Sequence, residues 1–492
     1  MAAYLLGIDI GTSSCKAALF RTDGTLAASG GSVYTVSYPE KGWAEQDPEM
    51  WWAGVCRAVR GLISESGTDP LEIAGIGVDG QSWSAVALSA TGEVLCPTPI
   101  WTDTRSREIC RETADRLGEE KLFSLCGNPV QPGYTWPKIL WYRKYRPEVF
   151  AKTAKILQSN SYIVYRMTGE ITQDLSQGYG LACFDMRRGC WDETACSELG
   201  IPRSFLPEIV PCHQIAGRLT REAAEQTGLT EGIPVAAGGL DAACGTLGAG
   251  VVSPGQTQEQ GGQAGGMSIC IDEYAADPRL ILGFHVVPGR WLLQGGTTGG
   301  GGALKWLRET ACPDLGFEQM SELAEKAAAG SGGVIFLPYM AGERSPIWNP
   351  NACGVFYGLS FSTTREQMIR ACMEGVAYAL RHNLETAETA GARAETLRAM
   401  GGSANSRIWT QIKADVTGCR IEVPGSDTAT TLGAAILAGV GTGIWQSFEE
   451  AALTTVQVKK VFSPDPETRE IYDRGYETYR QLYEHLKDLM NG

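Results

Sequence analysis

Histidine is scarce in this chain. Only four occur among 492 residues, at positions 213, 285, 382 and 485, and no two stand at a metal-ligand spacing. The sequence therefore argues against a histidine-built metal centre. Cysteine is present fifteen times, but the number is odd, the positions are scattered and no C-x-x-C pair occurs. That pattern speaks against zinc and thioredoxin-type spacings and against a secreted disulfide framework, leaving reduced and mostly buried thiols. Positive charge is in deficit: 42 Lys and Arg against 56 Asp and Glu give a net charge of −14. A general binder of nucleic acid or of anionic membranes needs the opposite balance. A small phosphate ligand is not excluded, because local backbone donors can hold it.

Two nucleotide-binding motifs are also missing. No G-x-x-x-x-G-K-[ST] occurs, Lys305 in GGGGALKW (299–306) stands at the wrong offset, and no strand-bound G-x-G-x-x-G fits a dinucleotide fold. Long apolar runs are absent as well. The longest small and apolar stretch, TATTLGAAILAGVGTGIW (428–445), is broken by Gly and Thr and falls short of a membrane span. No basic region or cleavage site precedes YLLGIDIG (4–11). The expectation is a soluble, cytoplasmic protein with neither membrane nor nucleic-acid partner.

What is present reads as ordinary globular protein, with 43% hydrophobic and 20% charged residues. The 61 glycines cluster in short runs, as where backbone turns sharply or approaches a ligand. Strands and helices alternate, which favours α/β layers. YLLGIDI (4–10), SCKAALF (14–20) and TLAASGGSVYTV (25–36) read as three strands, with a hairpin signal at Asp23-Gly24. Asp47-Pro48-Glu49 reads as a helix start running on through 50–63, and IAGIGVDG (73–80) as a buried strand. After Pro254-Gly255 a similar layout returns: strand 257–262, a glycine turn, strand 267–272, a long amphipathic helix over 368–388, a strand into a glycine turn over 397–406, and a helix over 407–418. Two halves, 1–252 and 253–492, facing a cleft are the natural inference.

Two segments carry chemistry. In GIDIGTSS (7–14) an Asp ends a buried strand just before a turn rich in N–H and hydroxyl donors, an arrangement suited to phosphate and Mg²⁺. A plain hairpin turn is the other reading, and a second candidate turn, GGQAGG (261–266), in the other half favours the first. In IPVAAGGLDAACGTLGAG (233–250), Asp241 sits where a strand becomes a helix, whose dipole favours the ionised form that a general base needs. A simple N-cap is the alternative there.

GIDIGTSSCKAALF (7–20), GWAEQDPEMWW (42–52), WTDTRS (101–106), YTWPKILWYRKYRPEVF (134–150), GGLDAACGTLGAG (238–250), GVFYGLSFSTTREQMIRACMEG (354–375) and GGSANSRIWTQIKADVTG (401–418) occur in one order. In that order they resemble the FGGY family of carbohydrate kinases, most closely its xylulose kinases. The resemblance implies an α/β, two-lobed, duplicated ribonuclease-H-like fold of the actin and hexokinase type, with ATP in the interlobe cleft. It implies transfer of the ATP γ-phosphoryl group to a hydroxyl of a pentulose, foremost D-xylulose. Asp241 would accept the hydroxyl proton, Asp9 would help hold Mg²⁺, and Gly11, Thr12 and Ser13 would contact phosphate. Gly262 and Gln263 would form the second phosphate turn. Gly299, Gly300, Gly301, Gly401, Gly402, Ser403 and Asn405 would line the nucleotide. Gln81, Ser82, Trp83 and Asp103, with Asp241, would face the sugar. The assembly is left open, a homodimer being one option.

Two departures from the family's pattern stand out. The second phosphate turn carries Gly262-Gln263-Ala264-Gly265 where the family has Gly-Thr-Ser or Gly-Thr-Gly, so a hydroxyl donor is lost. The sugar segment carries Gln81-Ser82-Trp83 where xylulose kinases have Gln-Met-His, while Gly77-Val78-Asp79 resembles ribulose kinases. Trp83 is either a sugar-stacking or a packing aromatic. The alternatives are a kinase of the same family for ribulose, a polyol or a sugar acid, or a non-catalytic sugar-binding protein on the same scaffold.

Overall fold

The computed structural model describes residues 4–425 and 428–491. Strand β1 (Tyr4–Ile10) is buried along nearly its whole length, which an apolar run on both faces requires. It pairs antiparallel with β2 (Ser14–Arg21), and β2 pairs with β3 (Leu26–Val33). The third strand thus stops short of the expected residue 36, where the chain leaves the sheet. Helix α1 (Pro48–Ser66) begins as its sequence predicts: the Asp47 carboxylate accepts the Glu49 N–H and Pro48 fills the first position. Strand β4 (Ile73–Gly80) runs parallel to β1. Helices α2 (Thr135–Tyr145) and α3 (Ser159–Thr168) precede β5 (Ile215–Arg218), β6 (Pro234–Ala236) and β7 (Gly239–Leu240), and α4 (Asp241–Gly248) follows. The seven-stranded sheet has the order β5-β6-β4-β1-β2-β3, with β7 beside β4.

The second sheet is also seven-stranded. It is built from β8 (Gln256–Gly261), β9 (Gly265–Ile271), β10 (Ile281–Phe284) and β11 (Trp291–Thr297). Helices α5 (Gly301–Ala311) and α6 (Arg365–Thr389) follow, then β12 (Thr396–Met400) and α7 (Arg407–Thr417). Strand β13 (Arg420–Pro424), helix α8 (Ala429–Gly441), strand β14 (Val458–Phe462) and helix α9 (Arg469–Asn491) complete the chain. The order is β10-β11-β9-β8-β12-β13-β14. Each sheet has an antiparallel ribbon of three strands (β3-β2-β1; β11-β9-β8), then two parallel partners (β4, β6; β12, β13), then an antiparallel edge (β5; β14). This repeated topology is the duplicated ribonuclease-H-like fold.

The stretch 428–445 proves to be a junction. Helix α8 packs on α4 and across β1 and β4 of the first sheet. A Cβ at Gly7 would collide with the Thr431 carbonyl, one at Gly77 with the Ala434 carbonyl, and one at Gly433 with the Cys244 carbonyl. Small residues there let backbones touch. Among the described residues no helix is long and apolar enough to cross a membrane.

Candidate active site

Both sheets present strand ends to one cavity of about 730 Å³. The first half contributes Asp9, Gly11, Lys16 and Asp241, and the second contributes Gln258, Gln260, Gly262, Met400, Gly401, Gly402 and Asn405. All of the carboxylates lining it therefore belong to the first half, and the cleft face of β8 carries neutral amides.

Strand register gathers the acids. Parallel pairing of β1 with β4 sets Asp9 beside Asp79, and β7 pairs Gly239 with Asp79, so that Asp241 follows two residues on. Burial raises the Asp9 pKa, opposed by Lys16. Lys16 is the antiparallel partner of Asp9 in the register, with its Nζ 3.7 Å from Oδ2. Asp79 is fully buried, and neither of its carboxylate oxygens meets an N–H or O–H donor. Burial, then the charges of Asp9 and Asp241, push its pKa well up, so the protonated Asp79 has the Asp9 carboxylate as the acceptor at hand. Asp241 is the first residue of α4, after the N-cap Leu240, and its Oδ1 accepts the Ala242 N–H at 2.7 Å. The N-cap alternative is thus not realised. Burial, then the charge of Asp9, raises the Asp241 pKa to about 7, a value suited to a general base near neutrality.

The first turn is tight: the Gly11 N–H donates to the Ser14 carbonyl at 3.1 Å, and the Tyr34 hydroxyl donates to the Gly11 carbonyl at 2.6 Å. Gly11 borders the cavity, whereas Thr12 and Ser13 lie outside its lining. The Thr12 Oγ1 accepts the Trp101 indole N–H at 2.9 Å. In the second turn Gly262 and Ala264 border the cavity, and Gln263 is exposed and does not. Gly299 to Gly301, expected to line the nucleotide, do not border the cavity; Gly300 to Gly302 pack against this turn and Gly299 against Pro338. The Gly301 and Gly302 N–H groups donate to the Gly262 and Gln263 carbonyls at 2.7 and 2.9 Å. A Cβ on Gly300 would strike the Ala264 and Gly265 backbone. Ser403 is likewise interior rather than lining, its Oγ accepting from Lys413 Nζ, which also reaches Glu259 at 2.6 Å. Gly401, Gly402 and Asn405 do line the cavity, as expected.

Of the five residues expected to face the sugar, Asp241 borders this cavity, whereas Gln81, Ser82, Trp83 and Asp103 do not. Trp83 adopts φ 54, which breaks the extended alternation that was to set it beside Gln81. Its ring packs edge-on against Tyr134 and Tyr179, with centroids 4.7 and 5.6 Å away. Ser82 is half-buried. Asp103 is fully buried because its oxygens accept from the Ala44 N–H at 2.6 Å and from Arg105 at 2.9 and 3.0 Å. Gln81 donates to Gln46 Oε1 at 2.8 Å, and Gln46 donates in turn to the Thr12 carbonyl at 2.8 Å. Gln46 thus ties the segment after β4 to the first turn. Neither it nor Lys16 nor Asp79 stands out by residue pattern as a site residue, since each gains its place only through strand pairing or tertiary contact.

A duplicated ribonuclease-H-like fold with carboxylates and glycine turns at an interlobe cleft defines a phosphotransferase of the actin and hexokinase class. Residues 4–248 match the N-terminal domain of the FGGY family of carbohydrate kinases, and residues 274–442 match its C-terminal domain. The chain is 32% identical to the xylulose kinase of Bacillus subtilis over 99% of its own length and 98% of that protein. It is 30% identical to the gluconokinase of Bacillus subtilis over 91% and 90% of the two chains. The crystal structure of xylulose kinase from Rhodospirillum rubrum superposes with a TM-score of 0.93 at 32% identity, covering 99% of this chain and 100% of that one. The chain belongs to the FGGY family of carbohydrate kinases, and it is a sugar kinase.

Proposed function

We propose that the protein is an ATP-dependent pentulose kinase that phosphorylates a hydroxyl of D-xylulose. The observation that carries this reading is Asp241 at the N-terminus of α4 on the cavity wall, in a chain similar to xylulose kinases over its full length. In this reading residues 1–252 supply the sugar side and the base, and 253–492 the nucleotide side. Ionised Asp241 takes the proton of the attacking hydroxyl as the γ-phosphoryl group is transferred in line. Lys16 and the backbone of the two glycine turns offset phosphate charge. Gly401, Gly402 and Asn405 are the nucleotide contacts, with Gly300 to Gly302 acting by holding the second turn in place.

Magnesium fits this donor set. The two lining carboxylates, Asp9 and Asp241, are balanced nearby by Lys16 alone among the lining residues. Among the described residues no group of three or more His, Cys, Asp or Glu forms a self-sufficient metal site. An ion that brings its own phosphate ligands and takes one carboxylate matches such a cleft. Asp9 would hold it, and its chemistry when bound would be to neutralise β- and γ-phosphate charge. The use of ATP and a free sugar fits a cytoplasmic setting.

Similarity to a gluconokinase, together with Gln81-Ser82-Trp83 in place of Gln-Met-His, supports a second reading in which the preferred substrate is another pentulose, a polyol or a sugar acid. A panel of such compounds, assayed for ADP release with Mg-ATP, separates the two. The first reading expects the highest kcat/KM with D-xylulose. A higher value for gluconate or ribulose overturns it.

A further inference from the structure

Gln258 of β8 borders the cavity although only 3% of it is exposed. Its Oε1 accepts twice: from the Thr246 hydroxyl of α4 at 2.8 Å and from Gln260 Nε2 at 3.3 Å. The Thr246 hydroxyl shares its proton with the Ala242 carbonyl at 2.7 Å. Two donors on Oε1 fix which way the amide faces and leave Nε2 as its free end. Nε2 has no acceptor among the described residues, and it stands 3.6 Å from where a Cβ on Gly245, itself a lining residue, would lie.

A buried amide with two unused N–H groups is costly unless a ligand takes them. Gly245 follows Asp241 on α4 by one helical turn, about 5.4 Å. Asp241, Ala242 and Gly245 all border the cavity, so the amide stands about a turn from the proposed base. During transfer the phosphoryl group lies next to the hydroxyl that Asp241 deprotonates, within reach of such a donor. The second turn brings no side-chain donor to the cavity, since Gly262 and Ala264 border it and Gln263 does not. Gln260 lies two residues beyond Gln258, on the same face of the strand. It is the penultimate residue of β8 as Asp9 is of β1, so the second sheet carries an amide where the first carries a carboxylate. A cation at Gln258 would pair with Asp241 and hold its pKa down, whereas an amide offers N–H groups and leaves the base unpaired.

We propose that Gln258 donates through Nε2 to the terminal phosphoryl group of ATP, with Thr246 and Gln260 as positioning residues that orient its amide. The inference rests on the proposed kinase reading for the identity of the ligand, and on the hydrogen-bond geometry for the direction of the amide.

The test compares Gln258→Leu and Gln258→Glu with the parent, using calorimetry to measure binding of ADP and of a non-hydrolysable ATP analogue, each with Mg²⁺. In Gln258→Leu the preference for the analogue over ADP should fall about tenfold and kcat about tenfold or more, while affinities for ADP and D-xylulose stay within about twofold. Gln258→Glu keeps the shape but puts negative charge where the donors stood, so its analogue affinity should fall below that of Gln258→Leu. A packing role would reverse that order. An unchanged preference, an equal loss for ADP and the analogue, a loss confined to D-xylulose, or the reversed order each overturns the proposal. Failure of both variants to fold would make Gln258 a determinant of the whole fold and would also overturn it. A parent that lacks sugar-dependent ADP release refutes the kinase reading; the ratio of analogue to ADP affinity then still decides the phosphate contact.

Discussion

Asp79 is the most unusual residue of the cleft: a carboxyl with no donor around it, in register with Asp9 and close to Asp241. Its cost to the empty protein depends on pH. The Asp241 pKa rises from 3.8 in the unfolded chain to about 7 in the fold, and the Asp79 pKa rises in the same direction. Between those values the folded state binds more protons than the unfolded state, so stability falls as pH increases. The nucleotide-free protein should therefore lose Tm from pH 5 to pH 8, and Asp79→Asn should flatten that loss and exceed the parent at pH 8. Scanning calorimetry at the two pH values measures both slopes. Parallel slopes would mean that Asp79 is not a charge held out of water. The sequence shows Asp79 only as one more polar residue after an apolar run. Its partner lies seventy residues away, and the pairing that joins them is a tertiary event.

At the scale of elements, most of the regular structure is legible because local pattern and tertiary role agree. Asp47-Pro48 starts α1 within a residue of expectation, and both strand–turn–strand units fall where the glycines punctuate them. The glycine run at 299–302 is different: composition identifies close backbone approach, yet not what approaches, and Gly300 to Gly302 approach the 262–264 turn while Gly299 approaches Pro338. The alternation expected at Gln81 to Trp83 is broken for a related reason, a single left-handed residue at Trp83 that no residue pattern announces. Two glycine substitutions test this distinction between close contact and mere flexibility. Gly433→Ala drives a methyl group into the Cys244 carbonyl and should cost about 1–3 kcal/mol. Gly61→Ala, in α1 with open space around the new methyl, should gain about 0.5–1 kcal/mol. Urea titration of both variants reads the two signs; a neutral Gly433→Ala would show that α8 is free to shift away from α4.

The whole molecule is two copies of one sheet topology made unequal by what their facing ends carry. The first copy offers Asp9, Asp241 and Lys16, and the second offers amides and glycines. In the proposed reading the base and the metal-holding carboxylate stand on one wall, and the two glycine turns face the phosphates from both. Helix α8, from the second half, lies on β1 and β4 directly behind the strand ends that carry Asp9 and Asp79, so the walls share a support. In the proposed reading Asp241 is the base of this cleft. Its most direct test is sugar-dependent ADP release by Asp241→Asn, alongside binding of sugar and nucleotide. The account predicts that turnover falls by about 10²-fold or more while both ligands still bind. Near-parental turnover in a folded Asp241→Asn protein would contradict it.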